Sequence, residues 1–312
     1  MKHVVGIDLG GTIIKIGIVQ DGRVIAFESL KSDSGNGLGR KLPEVEDCIR
    51  KMLKEQQIAG SGIAGVGISF PGLVDSSRGV VLSTNAKYDD APQLDLKAWA
   101  QRCFGGKFYM DNDARMAAVG EWQYGSAKGC DNMVMMTIGT GIGCGVIIQG
   151  KVLTGAHFQA GCLGGHLTID YKGRRCNCGN TGCVESMSSS FFLNDIVREN
   201  QLIGKDFYRQ YAPFDFKKLF DLFAEGNPDA QKICCDCMDV WSAGIVNLIH
   251  AYDPEVIVLS GGVTKSAGII IPYIQQRVDS LAWTPWGKVR IVESELKDDV
   301  GVIGVAHCVF GM

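Results

Sequence analysis

The chain has 312 residues, enough for about two domains, with 46% hydrophobic and 21% charged residues and a net charge of −3. That balance fits a globular protein with real cores and argues against a nucleic-acid-binding surface spread over the molecule. The long uncharged run 132–150 contains five glycines with Asn, Thr and Gln, which excludes it as a membrane helix.

In chain order, residues 4–8 form a short apolar run, 9–12 supply glycines, and Ile14, Ile16 and Ile18 alternate with other residues, which predicts strand, turn, strand. A third strand over 24–28 follows the Asp21-Gly22 turn, and helical spacing runs over 42–57 with Pro43 near its start. Further strands are predicted over 64–70, closed by Pro71-Gly72, and over 107–110, before a helix over 114–124. Strands at 133–138 and 146–148 flank a second glycine loop. The glycine- and cysteine-rich stretch 155–186 reads as irregular. Asn227 and Pro228 open a helix to about residue 252. A buried-type strand over 255–260, a helix over 269–282, a strand over 289–292 and a final helix over 301–309 complete the chain. Strand, glycine loop, strand thus occurs at 4–19 and again at 133–148, which points to duplicated halves.

Glycine is in excess, 41 of 312, and with little proline the surplus belongs at tight turns and close backbone approaches. No secretory segment is visible, so the twelve cysteines are read as reduced, in a cytoplasmic setting, some bound to metal and the rest buried.

Four glycine- or acid-bearing stretches can carry chemistry. Asp8-Leu9-Gly10-Gly11-Thr12, with Lys15 after it, lacks the GxxxxGK[ST] pattern, and a strand rather than a helix follows. Such a turn can aim backbone N–H groups and a hydroxyl at phosphate oxygens, with Asp8 holding Mg²⁺ through water, or it can be a plain hairpin turn. Thr137 to Gly145 superficially matches a dinucleotide fingerprint, but a hairpin follows where a helix is required. Asn112-Asp113-Ala114 reads as a helix cap, and a carboxylate there is also well placed as a general base toward a hydroxyl. Leu259-Ser260-Gly261-Gly262 is a strand running into a turn that either closes the strand or lets backbone approach a nucleotide.

The strongest single pattern is His166, Cys176, Cys178 and Cys183, one imidazole and three thiolates within 18 residues, which matches a closed tetrahedral zinc site. Cys234, Cys235 and Cys237 lie mid-helix on different faces and read as buried or half-exposed thiols.

Together these stretches, with Pro71-Gly72, the Ala160-Gly161 to His166 run and the cysteine segment through Glu185, resemble the ROK family of repressors and sugar kinases over nearly the whole chain. The resemblance implies an α/β fold of two actin-like (ribonuclease H-like) ATPase domains flanking a cleft. The domains are expected at 1–115 plus 300–312 and at 116–299, the second with a zinc loop at 155–186. It implies a cytoplasmic homodimer that phosphorylates a hexose or N-acetylhexosamine at the 6-hydroxyl, using ATP with Mg²⁺ and a structural Zn²⁺, without nucleic acid or membrane. Asp113 takes the place of the catalytic base, and Gly72, Asn112, Asp113, His166 and Glu185 those of the sugar contacts. Asp8, Gly10, Gly11, Thr12, Lys15, Thr140 and Gly141 fall at the phosphate loops and Gly261 and Gly262 at the nucleoside. The alternative is a non-catalytic sugar sensor related to the family's repressors.

One departure stands out. Where the family carries Glu in an E-x-G-H run, this chain has Cys162 if aligned on Ala160-Gly161, or Leu163 if aligned on His166, with an additional glycine. Neither supplies a strong acceptor, so glucose is expected to have a high KM.

Overall fold

The computed structural model describes residues 2–204 and 206–311. Its chain divides into two units. The first comprises the chain through Gly129, Val152–Cys162 and the chain from Glu295 on; the second comprises Cys130–Lys151 and Leu163–Ser294.

In the first unit, β1 (His3–Leu9), β2 (Ile13–Gln20) and β3 (Arg23–Lys31) form an antiparallel meander. After α1 (Leu42–Glu55), β4 (Ile63–Phe70) pairs parallel with β1. A hairpin of β5 (Gly72–Asp75) and β6 (Val80–Thr84) follows, then α2 (Leu96–Phe104). Next, β7 (Lys107–Asn112) joins β4 in parallel and runs straight into α3 (Asp113–Tyr124). The sheet order is β3-β2-β1-β4-β7. Ile7, Ile16 and Ile68 on one face pack in a core with Ile49 of α1 and Trp99 of α2.

The second unit repeats the plan. β8 (Met133–Ile138) and β9 (Ile142–Ile148) are antiparallel, followed by the short β10 (Lys151–Val152), whose last residue already belongs to the first unit. The helices α4 (Val184–Ser188), α5 (Leu193–Glu199), α6 (Phe207–Tyr211) and α7 (Phe216–Ala224) lead to the long α8 (Pro228–Tyr252). β11 (Val256–Ser260) pairs parallel with β8, and after α9 (Ala267–Leu281), β12 (Arg290–Glu293) pairs parallel with β11. The order β10-β9-β8-β11-β12 matches the first sheet strand for strand. Both sheets have the ribonuclease H-like topology of actin-like ATPase domains, and the repeat seen at 4–19 and 133–148 is their shared first hairpin.

The last helix, α10 (Val300–Gly311), covers the other face of the first sheet, where Val302, Ala306 and Val309 pack with Val4 and Val19. Much of the glycine excess belongs here. A Cβ on Gly6 would lie 2.6 Å from the Val302 carbonyl oxygen, one on Gly67 2.8 Å from Val305, and one on Gly304 1.8 Å from the Met116 carbonyl oxygen. The helix can sit on the sheet and on α3 only because those side chains are missing.

These contacts bear on the domain limits. The expected division after residue 115 cuts through α3, whereas α3 packs along α10 and stays with the first unit to Gly129. Residues 152–162, expected in the second domain, also return to the first. The glycine-rich stretch from Ile142 is β9 itself, longer than the 146–148 expected, because its backbone pairs with β8 from Ile142 on. On α8, Cys234 and Cys237 are buried and Cys235 half-buried.

Candidate active site

In the first unit, the Asn112-Asp113 pair sits where β7 becomes α3. Asn112 keeps extended backbone, and its side-chain oxygen accepts the Arg115 N–H at 3.2 Å, the cap expected from sequence. Its amide nitrogen donates to the Gly72 carbonyl at 3.0 Å and to Asp113 Oδ1 at 3.0 Å. Asp113 Oδ1 also accepts the Ala114 N–H at 2.8 Å. Gly72 must be glycine, since a Cβ there would lie 2.5 Å from the Ser83 carbonyl oxygen. The Asp113 carboxyl is thus aimed by two donors. Loss of water and the nearby Asp8 charge push its pKa up to about 6, against the Ala114 N–H, the Lys87 charge and the Asn112 amide. A carboxylate tuned this way is suited to take a proton near neutral pH.

Asp8, one residue before the end of β1, accepts from Ser69 Oγ at 2.6 Å. Burial raises its pKa, offset by that hydrogen bond and by Lys15. The adjoining loop is tied down by its carbonyls: Tyr88 Oη donates to that of Gly10 at 2.8 Å, and Ser32 Oγ and Ser34 Oγ donate to that of Gly11 at 2.5 and 2.9 Å. Thr12 follows at the start of β2, and Lys15, on β2 opposite Asp8, holds Asp298 at 2.7 Å.

Two parts of this region were not legible in sequence. Lys87 lies over the glycine loop, 2.7 Å (Cε) and 3.3 Å (Nζ) from where a Gly11 Cβ would stand. Arg115, fully buried, pairs with buried Asp111 at 3.0 Å and donates to the carbonyls of Phe158 and Ala160 at 2.7 and 2.9 Å. The same guanidinium is 3.7 Å from Cys162 Sγ, which also lies 3.3 Å from the Gln159 carbonyl oxygen. The Cys162 thiol is therefore turned into the Arg115 network, whereas Leu163 is 43% exposed.

In the second unit, Thr140 and Gly141 form the β8–β9 turn. Glu185, near the start of α4, accepts the Ile142 N–H at 2.7 Å and would lie 2.6 Å from a Cβ on Gly141. The Ser190 and Phe191 N–H groups donate to the carbonyls of Gly139 and Thr140 at 3.0 Å each. Gly261 adopts φ +95°, and a Cβ there would lie 2.3 Å from the Ile138 carbonyl oxygen. The two glycine turns therefore adjoin. At Gly139 and Gly262 no described atom beyond their chain neighbours comes within 4 Å of a Cβ position, so among the described residues the space a side chain would take is open. That cradle fits a phosphate or nucleoside at backbone distance.

His166, Cys176, Cys178 and Cys183 bring one ligand atom each to within 4.8 Å of one another. Cys178 Sγ to Cys183 Sγ and Cys176 Sγ to His166 Nδ1 are both 3.7 Å. Tetrahedral zinc with bonds near 2.3 Å to sulfur and 2.0–2.1 Å to nitrogen needs separations of about 3.8 and 3.6 Å. The donor set therefore fits a four-coordinate zinc ion. Burial and the neighbouring thiols push Cys183 up to about 12, so a cation is what would hold these sulfurs as thiolates.

Comparison with known proteins agrees with this geometry. The model of the ROK family matches residues 4–310. The glucokinase of Thermotoga maritima is 29% identical, over 98% of this chain and 96% of that protein. The xylose repressor of Caldicellulosiruptor bescii is 27% identical, over 96% of this chain and 76% of the repressor. The ROK hexokinase structure from Thermus thermophilus superposes with a TM-score of 0.78 at 28% identity, covering 97% of this chain and 96% of that one. No described helix is long and apolar enough to cross a membrane.

Proposed function

Since this chain belongs to the ROK family, whose kinases and repressors both occur among its relatives, we propose that it is an ATP-dependent kinase of a hexose or N-acetylhexosamine. The observation that carries this reading is the Asp113 carboxyl, steered by two donors and raised to about 6. A sensor needs no base so tuned. The similarity to glucokinase and hexokinase over nearly the whole chain supports it further.

In this reading Asn112, Gly72, His166 and Glu185 orient the sugar, and Asp113 takes the proton of the 6-hydroxyl as its oxygen attacks the terminal phosphorus of ATP. Gly10, Gly11, Thr12 and Lys15 in the first unit and Thr140 and Gly141 in the second hold the phosphates, with Gly261 and Gly262 against the nucleoside. A nucleotide-bound Mg²⁺ ion neutralises phosphate charge, and Asp8 is the residue that would hold it through water. His166, Cys176, Cys178 and Cys183 would hold a structural zinc ion that orders 155–186 and with it Glu185. The working assembly is a homodimer.

Because the Cys162 thiol is turned to Arg115, the family's carboxylate at this place has no counterpart in the first unit, and the reading includes a high KM for glucose. Cys162→Glu would pair with Arg115 before it reached a sugar. A coupled ADP-release assay over a panel of hexoses and N-acetylhexosamines tests the whole reading. Turnover with at least one sugar is expected, with a better KM for a sugar other than glucose. Sugar binding without any turnover would replace the kinase by a sensor.

A further inference from the structure

The phosphate loop of the first unit has a cation that its sequence pattern does not contain. Lys15, the lysine of that pattern, is already paired: its Nζ holds Asp298 Oδ1 at 2.7 Å and the Asp298 carbonyl oxygen at 3.1 Å. Lys87 is not. No carboxylate comes within 4.0 Å of its Nζ among the described residues.

Its placement is built rather than incidental. Lys87 lies in the segment between β6 and α2, and both its neighbours, Ala86 (φ 53°) and Tyr88 (φ 58°), have left-handed backbone. Non-glycine residues in that region carry strain that surrounding structure must hold. Here Tyr88 holds it. Tyr88 is fully buried, its N–H donates to the Ser34 carbonyl at 2.9 Å, and its hydroxyl donates to the Gly10 carbonyl at 2.8 Å. The anchor thus ends on the glycine loop itself, and it lays the Lys87 stem over Gly11, with Cε 2.7 Å from the position of a Gly11 Cβ. A side chain at Gly11 would displace the end of the lysine stem from this place. The same ammonium acts on Asp113, whose pKa it lowers, while Asp8 raises it. One half-buried, unpaired cation therefore stands at both the glycine loop and the base.

We propose that Lys87 is a catalytic residue of the phosphoryl transfer, its ammonium holding the oxygens of the phosphoryl group as it moves. The inference rests on the kinase reading of this site. In the step, the sugar hydroxyl oxygen bonds to the terminal phosphorus and the bond from that phosphorus to the bridging oxygen of ADP breaks. The hydroxyl proton passes to Asp113. The Lys87 ammonium stabilises the charge spread over the transferred group, the kind of fixed charge that contributes most to this chemistry.

The test compares Lys87→Met, which keeps the stem and loses the charge, with Lys87→Arg, which keeps a charge. Removing one such stabilising group costs about 10²-fold in kcat. Lys87→Met should show that loss with an unchanged sugar KM, and Lys87→Arg should recover part of it. With the Lys87 charge gone and Asp8 still facing Asp113, the acid limb of the rate profile should move to higher pH in Lys87→Met. A second arm needs no turnover. A non-hydrolysable ATP analogue should bind Lys87→Met about tenfold more weakly while AMP binds as before, the loss of one contact to a charged group. A kcat within about threefold of the parent, or equal losses for the analogue and AMP, would overturn the proposal. A raised sugar KM with kcat intact would also overturn it and assign Lys87 to the sugar. If the parent turns over no sugar, the kinase reading fails, and the analogue and AMP arm still decides whether Lys87 grips phosphate.

Discussion

The β1–β2 and β8–β9 hairpins occupy the same place in two sheets of the same order, yet their loops are built oppositely. The loop at Gly10–Thr12 is clamped from below by Tyr88, Ser32 and Ser34 and overlain by Lys87, with Asp8 and Asp113 nearby. The loop at Gly139–Gly141 has open space at Gly139 and is braced by one carboxylate, Glu185, from the segment that carries the cysteines. A duplicated hairpin has thus taken two loads. One copy gathers charge, and burial there raises the pKa of the Asp113 carboxyl. The other offers bare backbone and is braced from the segment that carries His166, Cys176, Cys178 and Cys183, which has little regular structure of its own.

The largest expected effect falls on the charged side. Asp113→Asn keeps the helix start but cannot accept a proton, and kcat should fall by about 10²–10⁴-fold with the protein still folded. A folded variant with near-normal kcat would remove the chemical half of the contrast. In the parent, kcat/KM should fall below a midpoint near the Asp113 value of about 6.

Next comes the buried pair that holds the 158–162 segment to α3. Arg115→Met leaves Asp111 buried without its partner, which should cost roughly 3–5 kcal/mol in denaturant unfolding. Adding Asp111→Asn should restore part of it. Additive losses would mean the two groups do not act as a pair.

In the proposed zinc set, Cys178 is the exposed member, so Cys178→Ser removes a sulfur with little loss of packing. Zinc content should drop from one ion per chain, and stability should fall by at least about 2 kcal/mol, a fraction of what closed zinc sites contribute to small domains. Unchanged zinc content and an unchanged melting temperature would separate this segment from any metal.

The smallest effect is a gain. Asp113 has a folded-state value of about 6, above the roughly 3.9 of an unfolded carboxylate. Between those values the folded state binds more protons, so this residue's contribution falls as pH rises through the window. Asp113→Asn should therefore melt higher than the parent above pH 6, and the difference should vanish below about pH 4. A gain that persists in acid would have another cause.

What the sequence determined by itself was local. Apolar runs beside glycine turns, with alternation in β2, marked the strands of both hairpins, Asn112 and Asn227 announced the starts of α3 and α8, and the spacing of His166, Cys176, Cys178 and Cys183 named a candidate ligand set within one short segment. These are readable because backbone geometry ties neighbours in sequence to fixed relative positions. The tertiary structure alone decided which unit owns α3, that Lys15 is held by Asp298 283 positions away while Lys87 lies over Gly11, and that Glu185 braces Ile142. It likewise decided that the Cys162 thiol faces Arg115, 47 positions before it. Nothing in the spacing of such residues encodes their meeting, because they are joined only when sheets, helices and the returning 152–162 segment pack, and packing is set by the sum of many distant contacts rather than by any local pattern.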